Sequence, residues 1–253
     1  MTRSFLLLAL AALAACAAAP PDTTATVLER MLARYDASLG GVGGFAVTAA
    51  GATATHAALP DSTSELDPPA IAPAPGQTPD GELVPLLLQQ IANVRLLADT
   101  LRTAELEGPR DLRGRRVYIL TRTASGGRAL YVVVDAETFD VREIEQSVQP
   151  DTLARPLVTR LVYDDFRTAD GLTVPYRVRL INEGLDQLIP ETDRMVRGGQ
   201  ASVARGQIEM LPPGPEREAR RVQLDRDIKL YTEGVQEYDL RVDRVRVTPR
   251  AGR

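Results

Sequence analysis

The sequence predicts an α+β protein in which antiparallel strands are covered by helices. Three features lead to this prediction: an amphipathic helix near residues 24–38, short apolar segments separated by glycine-containing turns between residues 114 and 181, and helical periodicity over residues 186–233. The chain has 253 residues, which is enough for one large or two small domains with a core that needs no disulfide support. Too little of the chain precedes the Pro-rich segment 59–85 for a separate core, so we expect one domain over residues 25–253 with this segment and the helical hairpin 186–233 inside it.

The first 15 residues have the form of an exported protein's signal peptide. Arg3 supplies a positive charge, an apolar run follows from Phe5 to Leu10, and small residues lead to Cys16. The apolar run is too short to span a bilayer as a mature helix. An ordinary signal peptide with an incidental cysteine remains the alternative.

The pattern Leu13-Ala14-Ala15-Cys16 resembles a bacterial lipobox. The resemblance implies that the thiol of Cys16 is diacylated and that the peptide is cut before it. Residues 16–24 would then be a lipidated tether, and the acyl chains would attach the protein to the membrane. Because Ala17 rather than Asp follows the cysteine, we expect the outer membrane, with the protein facing the periplasm.

Composition excludes several classes of function. The net charge of −4 argues against nucleic-acid binding through a basic face and against adsorption to anionic headgroups by charge alone. Aromatic residues make up only 4% of the chain and tryptophan is absent, which disfavours sites that stack sugars or nucleobases. No cofactor is indicated.

The N-terminal helix should begin after Thr23 or Thr24 and run to about Ser38. Gly40-Gly41 is expected to end it in a left-handed cap. The glycines do not predict a phosphate loop, because the helix precedes them and the strand-like segment 45–48 follows.

The segment from Pro60 to Pro85 contains seven prolines among small polar residues. It should form neither a strand ladder nor a helix, and we expect an extended surface loop. A helix is predicted next, from about Leu86 to Asp99.

Strands are predicted at 117–120, 130–134, 141–148, 157–165 and 172–180. The last alternates most clearly, and Pro175 within it suggests an edge or a bulge. Asp170-Gly171 indicates a hairpin turn before that strand. One face of the strand provides the candidate lining of an apolar cavity: Leu172, Val174, Tyr176, Val178 and Leu180.

The helical segments within 186–233 are expected to form a hairpin inserted between two strands, ending at Gly234. We expect this hairpin to act as a lid over the strand at 172–180, or else as a docking arm. The lid is favoured because an isolated hairpin is rarely stable without burying its apolar stripe. That stripe comprises Val196, Val203, Ile208, Val222 and Ile228. The final strand shifts register, which predicts a bulge near Asp243.

Three passages resemble the LolA/LolB-like periplasmic superfamily of the lipoprotein-sorting type. They are Leu28 to Gly41 (LERMLARYDASLGG), Tyr131 to Ile144 (YVVVDAETFDVREI) and Tyr163 to Val178 (YDDFRTADGLTVPYRV). The resemblance implies a curved antiparallel sheet, like an incomplete barrel, with helices closing its concave side over an apolar cavity. It also implies a role in outer-membrane lipoprotein or lipid handling.

No motif specifies an enzyme. His56 is the sole histidine, so a histidine-rich metal site is excluded, and we expect this residue at the surface. Asp164-Asp165 and the pair Glu143 and Glu145 are the best carboxylate candidates. Neighbouring strand residues point to opposite faces, so Asp164 and Asp165 cannot converge on one atom without a bulge, and Glu143 and Glu145 share a face as on a solvated strand. We therefore expect neither pair to be catalytic.

The residues Arg113, Arg115 and Arg116 around Gly114 would suit a phosphate or headgroup, or would simply be a solvated turn. The sequence thus favours a non-enzymatic, lipid-anchored protein that binds an apolar ligand or lipoprotein segment. The alternative is an interaction lipoprotein with a self-filled core that acts as a docking module for a partner.

Overall fold

The computed structural model describes residues 22–58, 70–73, 81, 83–84, 91 and 93–250. In this part of the chain ten antiparallel strands form one open sheet, in the order β3-β2-β1-β10-β9-β8-β7-β6-β5-β4. The strands are β1 Val42–Ala49, β2 Ala52–Ala57, β3 Ala70–Pro73, β4 Glu105–Leu112, β5 Arg115–Ala124, β6 Arg128–Asp135, β7 Val141–Val148, β8 Leu157–Ala169, β9 Leu172–Glu183 and β10 Gln236–Pro249. The helices are α1 Thr24–Leu39, α2 Val94–Thr100, α3 Glu191–Glu209 and α4 Pro215–Glu233. The predicted α+β class with an open antiparallel sheet is confirmed.

Helix α1 begins as predicted and ends differently. The Thr23 hydroxyl oxygen accepts a hydrogen bond from the Thr26 amide at 3.2 Å, which satisfies one of the free amides at the helix start. At the other end Gly40 has a φ of −59°. The left-handed cap expected there is therefore wrong, since Gly40 keeps the right-handed conformation.

Helix α1 covers one face of the sheet, the concave face, and builds the core with it. Val27, Met31 and Tyr35 are buried against strand side chains. The Tyr35 hydroxyl accepts the Val141 amide at 3.3 Å, and burial raises the pKa of this phenol. These contacts fix the helix across the sheet by both apolar packing and hydrogen bonds.

Tight turns join the strands. Asp170 and Gly171 both have positive φ, and the same holds for Arg113 and Gly114. Two consecutive residues of this kind form the type I′ turn whose twist matches that of antiparallel strands. The predicted Asp170-Gly171 hairpin is confirmed.

The long strand β10 changes partner along its length. Gln236–Arg241 pairs with β9, whereas the part from Val242 to Pro249 pairs with β1. On β1, Thr48 and Ala49 face Arg244 and Val242, so Asp243 is the extra residue of a bulge. The bulge predicted there is confirmed, and it marks the point where the partner changes.

Pro175 lies where β9 has no β10 partner. The pairing of β9 with β10 ends at Arg177, and the amide of Thr173 turns instead to the Ser38 hydroxyl at 3.0 Å. Alternate residues of a strand direct their amides to the same side, so position 175 would direct its amide to this unpaired side. Proline costs no ladder hydrogen bond there, which confirms the local edge.

Three strands were missed by the sequence prediction: β2, β3 and β4. Part of the expected loop at 59–85 is in fact β3, which pairs with β2, and Val84 near its end is buried. Most of that segment and the predicted start of the helix at Leu86 lie outside the described residues. The described helix begins at Val94, with Ile91 also helical and buried.

The helical hairpin predicted over residues 186–233 is present as α3 and α4, and Gly234 ends it in a left-handed cap with a φ of 68°. It contacts the rest of the protein at its base, where the Leu185 amide donates to the Gly234 carbonyl at 3.0 Å and Lys229 lies 3.4 Å from Glu237. The expectation of a lid is wrong. Val196, Val203 and Val222 are exposed, and none of the described side chains of either helix is buried.

Candidate functional sites

The predicted cavity-lining residues lie together on the concave face, beneath α1. Leu172, Val174 and Val178 are fully buried, Leu180 is nearly so, and Tyr176 is half-buried. All five belong to the main core or pack against it. Side chains of this protein fill the space in front of these residues. That they line a ligand cavity therefore stays a prediction.

An apolar pocket lies at the rim of the concave face, and we call it the α2 pocket. It has a volume of about 150 Å³ and is lined by Asn93, Leu96, Leu97, Thr100, Leu130, Ile144 and Gln146. The Arg122 guanidinium donates to the Thr100 carbonyl at 2.9 Å and ties the end of α2 to β5. Leu96 is 67% exposed at the pocket mouth. The sequence predicted a helix in this region, but it did not predict that a pocket would remain beside it.

The opposite, outer face of the sheet carries a network of charges centred on Arg160. Its Nε lies 2.8 Å from a Glu145 oxygen and 3.2 Å from a Glu143 oxygen, and a Glu183 oxygen lies 3.5 Å from its Nη1. Burial raises the pKa of the Glu143 carboxyl, and the nearby arginines only partly offset this. Glu143 and Glu145 share a face as predicted, and Glu143 is buried rather than solvated.

A second pocket, which we call the arginine pocket, lies beside this network. Its volume is about 200 Å³, and its lining comprises Leu112, Arg113, Arg115, Val117, Val133, Arg142, Glu143, Val162, Tyr163, Asp164 and Arg179. The type I′ turn at Arg113-Gly114 brings Arg113 to the rim. Of the basic cluster seen in the sequence, Arg113 and Arg115 line the pocket and Arg116 does not. Arg142 and Arg179 are added from distant segments, which no local pattern could reveal.

The adjacent carboxylates Asp164 and Asp165 do not converge on one point. Asp165 pairs with Arg167 at 2.6 Å, whereas Asp164 lies 3.8 Å from Arg179.

The expected solvent exposure of His56 is wrong. This side chain is buried on β2 and stacks on Phe45 with ring centroids 5.0 Å apart.

Within the described ranges no group of three potential metal ligands occurs, and no helix is both long and apolar enough to cross a membrane. Cys16 and the predicted signal peptide lie outside the described residues. Comparison of the chain with protein-family models, curated proteins and solved structures found no match.

Proposed function

We propose that this protein is a lipid-anchored, non-enzymatic protein of the cell envelope that binds an apolar ligand or lipoprotein segment through the α2 pocket. Its resemblance to the lipoprotein-sorting superfamily implies the same kind of role. The observation that carries the proposal is an apolar pocket at the rim of the concave face of an open sheet. Leu97, Leu130 and Ile144 supply its apolar walls, and the exposed Leu96 stands at its mouth.

The size of the α2 pocket limits what it can hold. Sites for small molecules usually measure about 300–1,000 Å³. At about 150 Å³ the pocket would accept one large apolar side chain or the end of an acyl chain rather than a whole lipid. The ligand would therefore leave most of its length outside, against the exposed surface of α2.

Binding of cis-parinaric acid, a fluorescent fatty acid, to the chain from Ala17 to Arg253 tests the proposal. Leu96→Glu places a charge at the pocket mouth and should weaken binding about tenfold or more, since an apolar chain must then pass a carboxylate. Leu188→Glu is the matched control, because Leu188 is similarly exposed but lies at the base of the hairpin. Equal affinities of the two variants would contradict binding at this pocket.

The membrane anchor has its own test. Cys16→Ser removes the sulfur to which diacylglycerol would be attached by a thioether bond. We expect the variant to incorporate no radiolabelled palmitate and to escape processing by the lipoprotein peptidase. Continued labelling with the variant still in the membrane fraction would show that the lipobox assignment is wrong.

A second candidate function, docking of a partner protein, is favoured by a different observation. The core beneath α1 is filled, while α3 and its C-cap residue expose an uncharged stripe made by Val196, Gly199, Val203, Gly206 and Met210. These residues recur at alternating spacings of three and four, which is the spacing that one helix presents to another. A helix of a partner protein is the occupant this stripe would accept.

Native mass spectrometry of the chain from Ala17 onward distinguishes the two candidates. Co-purified phospholipid or acylated peptide supports ligand binding. A compact protein without ligand supports the docking module.

A further inference from the structure

The arginine pocket differs from the rest of the outer face in how its guanidinium groups are paired. Elsewhere on this sheet the ion pairs are close: Arg177 lies 2.7 Å from Asp239, and Arg160 lies 2.8 Å from Glu145. Such distances are those of charge-assisted hydrogen bonds. In these two pairs a carboxylate on a neighbouring strand satisfies the guanidinium group.

The arginines at the mouth of the pocket are paired loosely. Arg113 lies 3.9 Å from Glu143, and Arg179 lies 3.8 Å from Asp164, both beyond hydrogen-bond distance. Arg115 forms no ion pair with any described residue. Three guanidinium groups therefore line the pocket without a carboxylate of any described residue within hydrogen-bond distance.

Arg179 carries the strongest sign of a missing acceptor. Its Nε atom is buried and has no hydrogen-bond partner among residues 22–58 and 93–250 or the few described between them. Buried donors are nearly always paired, because leaving one unpaired costs about 1–3 kcal/mol. Arg179 lines the pocket, and the Asp164 carboxylate at 3.8 Å does not supply the missing acceptor.

Three valines form the apolar part of the pocket floor, on either side of the Glu143 carboxyl. Val117 and Val133 are buried in a small cluster on the outer face, and Val162 is buried beside them. Val133 faces Glu143 across β6 and β7, and Glu143 faces Val162 across β7 and β8, so the carboxyl lies between valines. A fully hydrated inorganic anion gains nothing from such a floor, whereas an apolar group gains free energy by covering it.

We propose that the arginine pocket binds a small organic anion, whose phosphate or carboxylate group pairs with Arg113, Arg115 and Arg179 and whose short apolar body lies on Val117, Val133 and Val162. Arginine suits this task because its planar group offers two parallel donors to either kind of anion.

The balance of charge around the pocket agrees with an anionic ligand. Its lining holds four arginines against the two carboxylates Glu143 and Asp164. Arg142 is already held by Asp135 at 3.0 Å, which leaves the three loosely paired guanidinium groups for a ligand. The site is on the opposite face from the α2 pocket, and it does not depend on the function proposed above.

The test is a calorimetric titration of the chain from Ala17 to Arg253 with three probes. Hexyl phosphate should bind with a Kd of about 1 mM or tighter. Inorganic phosphate should bind about tenfold more weakly, because it cannot use the valine floor, and hexan-1-ol should not bind. Hexanoate, compared with hexyl phosphate, shows which anionic group the pocket prefers, and binding of either supports the proposal.

Matched variants assign the binding to the pocket. Arg115→Gln should weaken hexyl phosphate binding about tenfold, since one charge-assisted contact is lost. Arg241→Gln is the control, because this arginine lies on the same face, is 74% exposed and does not line the pocket.

Three results would overturn the proposal. They are no binding of either organic anion at about 10 mM, an equal loss in the two variants, and equal affinity for hexyl phosphate and hexan-1-ol. The second would indicate general attraction to a charged face, and the third would indicate purely apolar binding.

Discussion

Helix α1 and the hairpin of α3 and α4 have the same kind of sequence pattern and opposite fates. Both have apolar residues at helical spacing, and both are helical. In α1 the apolar residues Val27, Met31 and Leu39 are buried against the sheet. In α3 the apolar residues Val196 and Val203 are exposed, and the neighbouring Met195 is 66% exposed. Apolar periodicity therefore predicts that a segment is a helix, but not that its apolar face finds a partner within the same chain.

The difference comes from what each helix can reach. Helix α1 lies across the strands and is tied to them by Tyr35 and Ser38, which accept backbone amides at 3.3 and 3.0 Å. The hairpin leaves the sheet between β9 and β10, and its base is fixed by Asp186, which lies 2.5 Å from Arg155 and 3.7 Å from Arg194. Fastened at one end only, it stabilises itself by contacts between its own two helices.

The largest expected effect comes from the same substitution in the two helices. Met31→Ala removes a fully buried side chain and should lower the free energy of unfolding by about 2–5 kcal/mol, because it loses apolar burial and leaves a cavity. Met195→Ala should change it by less than about 0.5 kcal/mol. Urea denaturation of both variants measures this. Comparable losses would mean that the hairpin packs on the protein in solution.

A smaller effect is expected from two carboxyl groups that are each paired with an arginine. Burial raises the pKa of Asp135, but the amides of Thr138 and Glu137, together with Arg142, outweigh it and hold the pKa below its ordinary value of 3.8. On α4 the hydrogen bond from Arg221 lowers the pKa of the fully exposed Glu218. The first group lies in a sheet turn and the second on the hairpin.

The signs follow from these shifts. A carboxyl whose pKa is lower in the folded state stabilises the protein at any pH above its unfolded-state pKa. This stability is lost as the pH falls through the folded-state pKa. Asp135→Asn keeps an oxygen that can accept the Glu137 and Thr138 amides but loses the charge-assisted hydrogen bonds from Arg142. It should therefore cost about 1–3 kcal/mol at pH 7 and progressively less below pH 4. Glu218→Gln should show no measurable pH-dependent change, because water and salt screen its pair. Thermal unfolding between pH 3 and pH 7 measures both, and a pH-independent cost at Asp135 would contradict the argument.

Removing the whole hairpin is also expected to have only a small effect on stability. Residues 191–232 can be replaced by a short Gly-Ser linker, since the Leu185 amide and the Gly234 carbonyl already close the base. The free energy of unfolding of the sheet should change by less than about 1 kcal/mol, because the linker alters only loop closure. Binding of a hydrophobic dye should fall with the loss of the exposed stripe. A marked drop in melting temperature with increased dye binding would contradict this and show that the hairpin covers the sheet as a lid.

The sequence was sufficient for features whose cause is local. Asp170-Gly171 forms its turn because residues of this type tolerate positive φ, and Thr23 caps α1 because its hydroxyl lies within reach of the next turn. The strand at 172–180 was clear because one face is buried and its alternation is strict. The bulge at Asp243 was visible as a break in the alternation of the final strand, β10.

Features that depend on distant partners were missed. The strand β4 has few buried residues, so it lacks an alternating pattern and is held by pairing with β5. His56 occurs in a weakly apolar segment, and only the pairing of β1 with β2 places it against Phe45. The two pockets were out of reach for the same reason, since each is lined by side chains from segments far apart in the chain.

The sequence by itself determined the α+β class, the places of α1 and of the helical hairpin, and the turns, because each rests on side-chain periodicity and on the backbone preferences of neighbouring residues. Only the tertiary structure decided that α1 fills the concave face, that the hairpin stands away from it, and that Arg113, Arg115 and Arg179 line one pocket together with three valines. Those outcomes depend on strand order and register, which bring together residues far apart in the chain. Neither strand order nor register can be predicted from a short stretch of sequence.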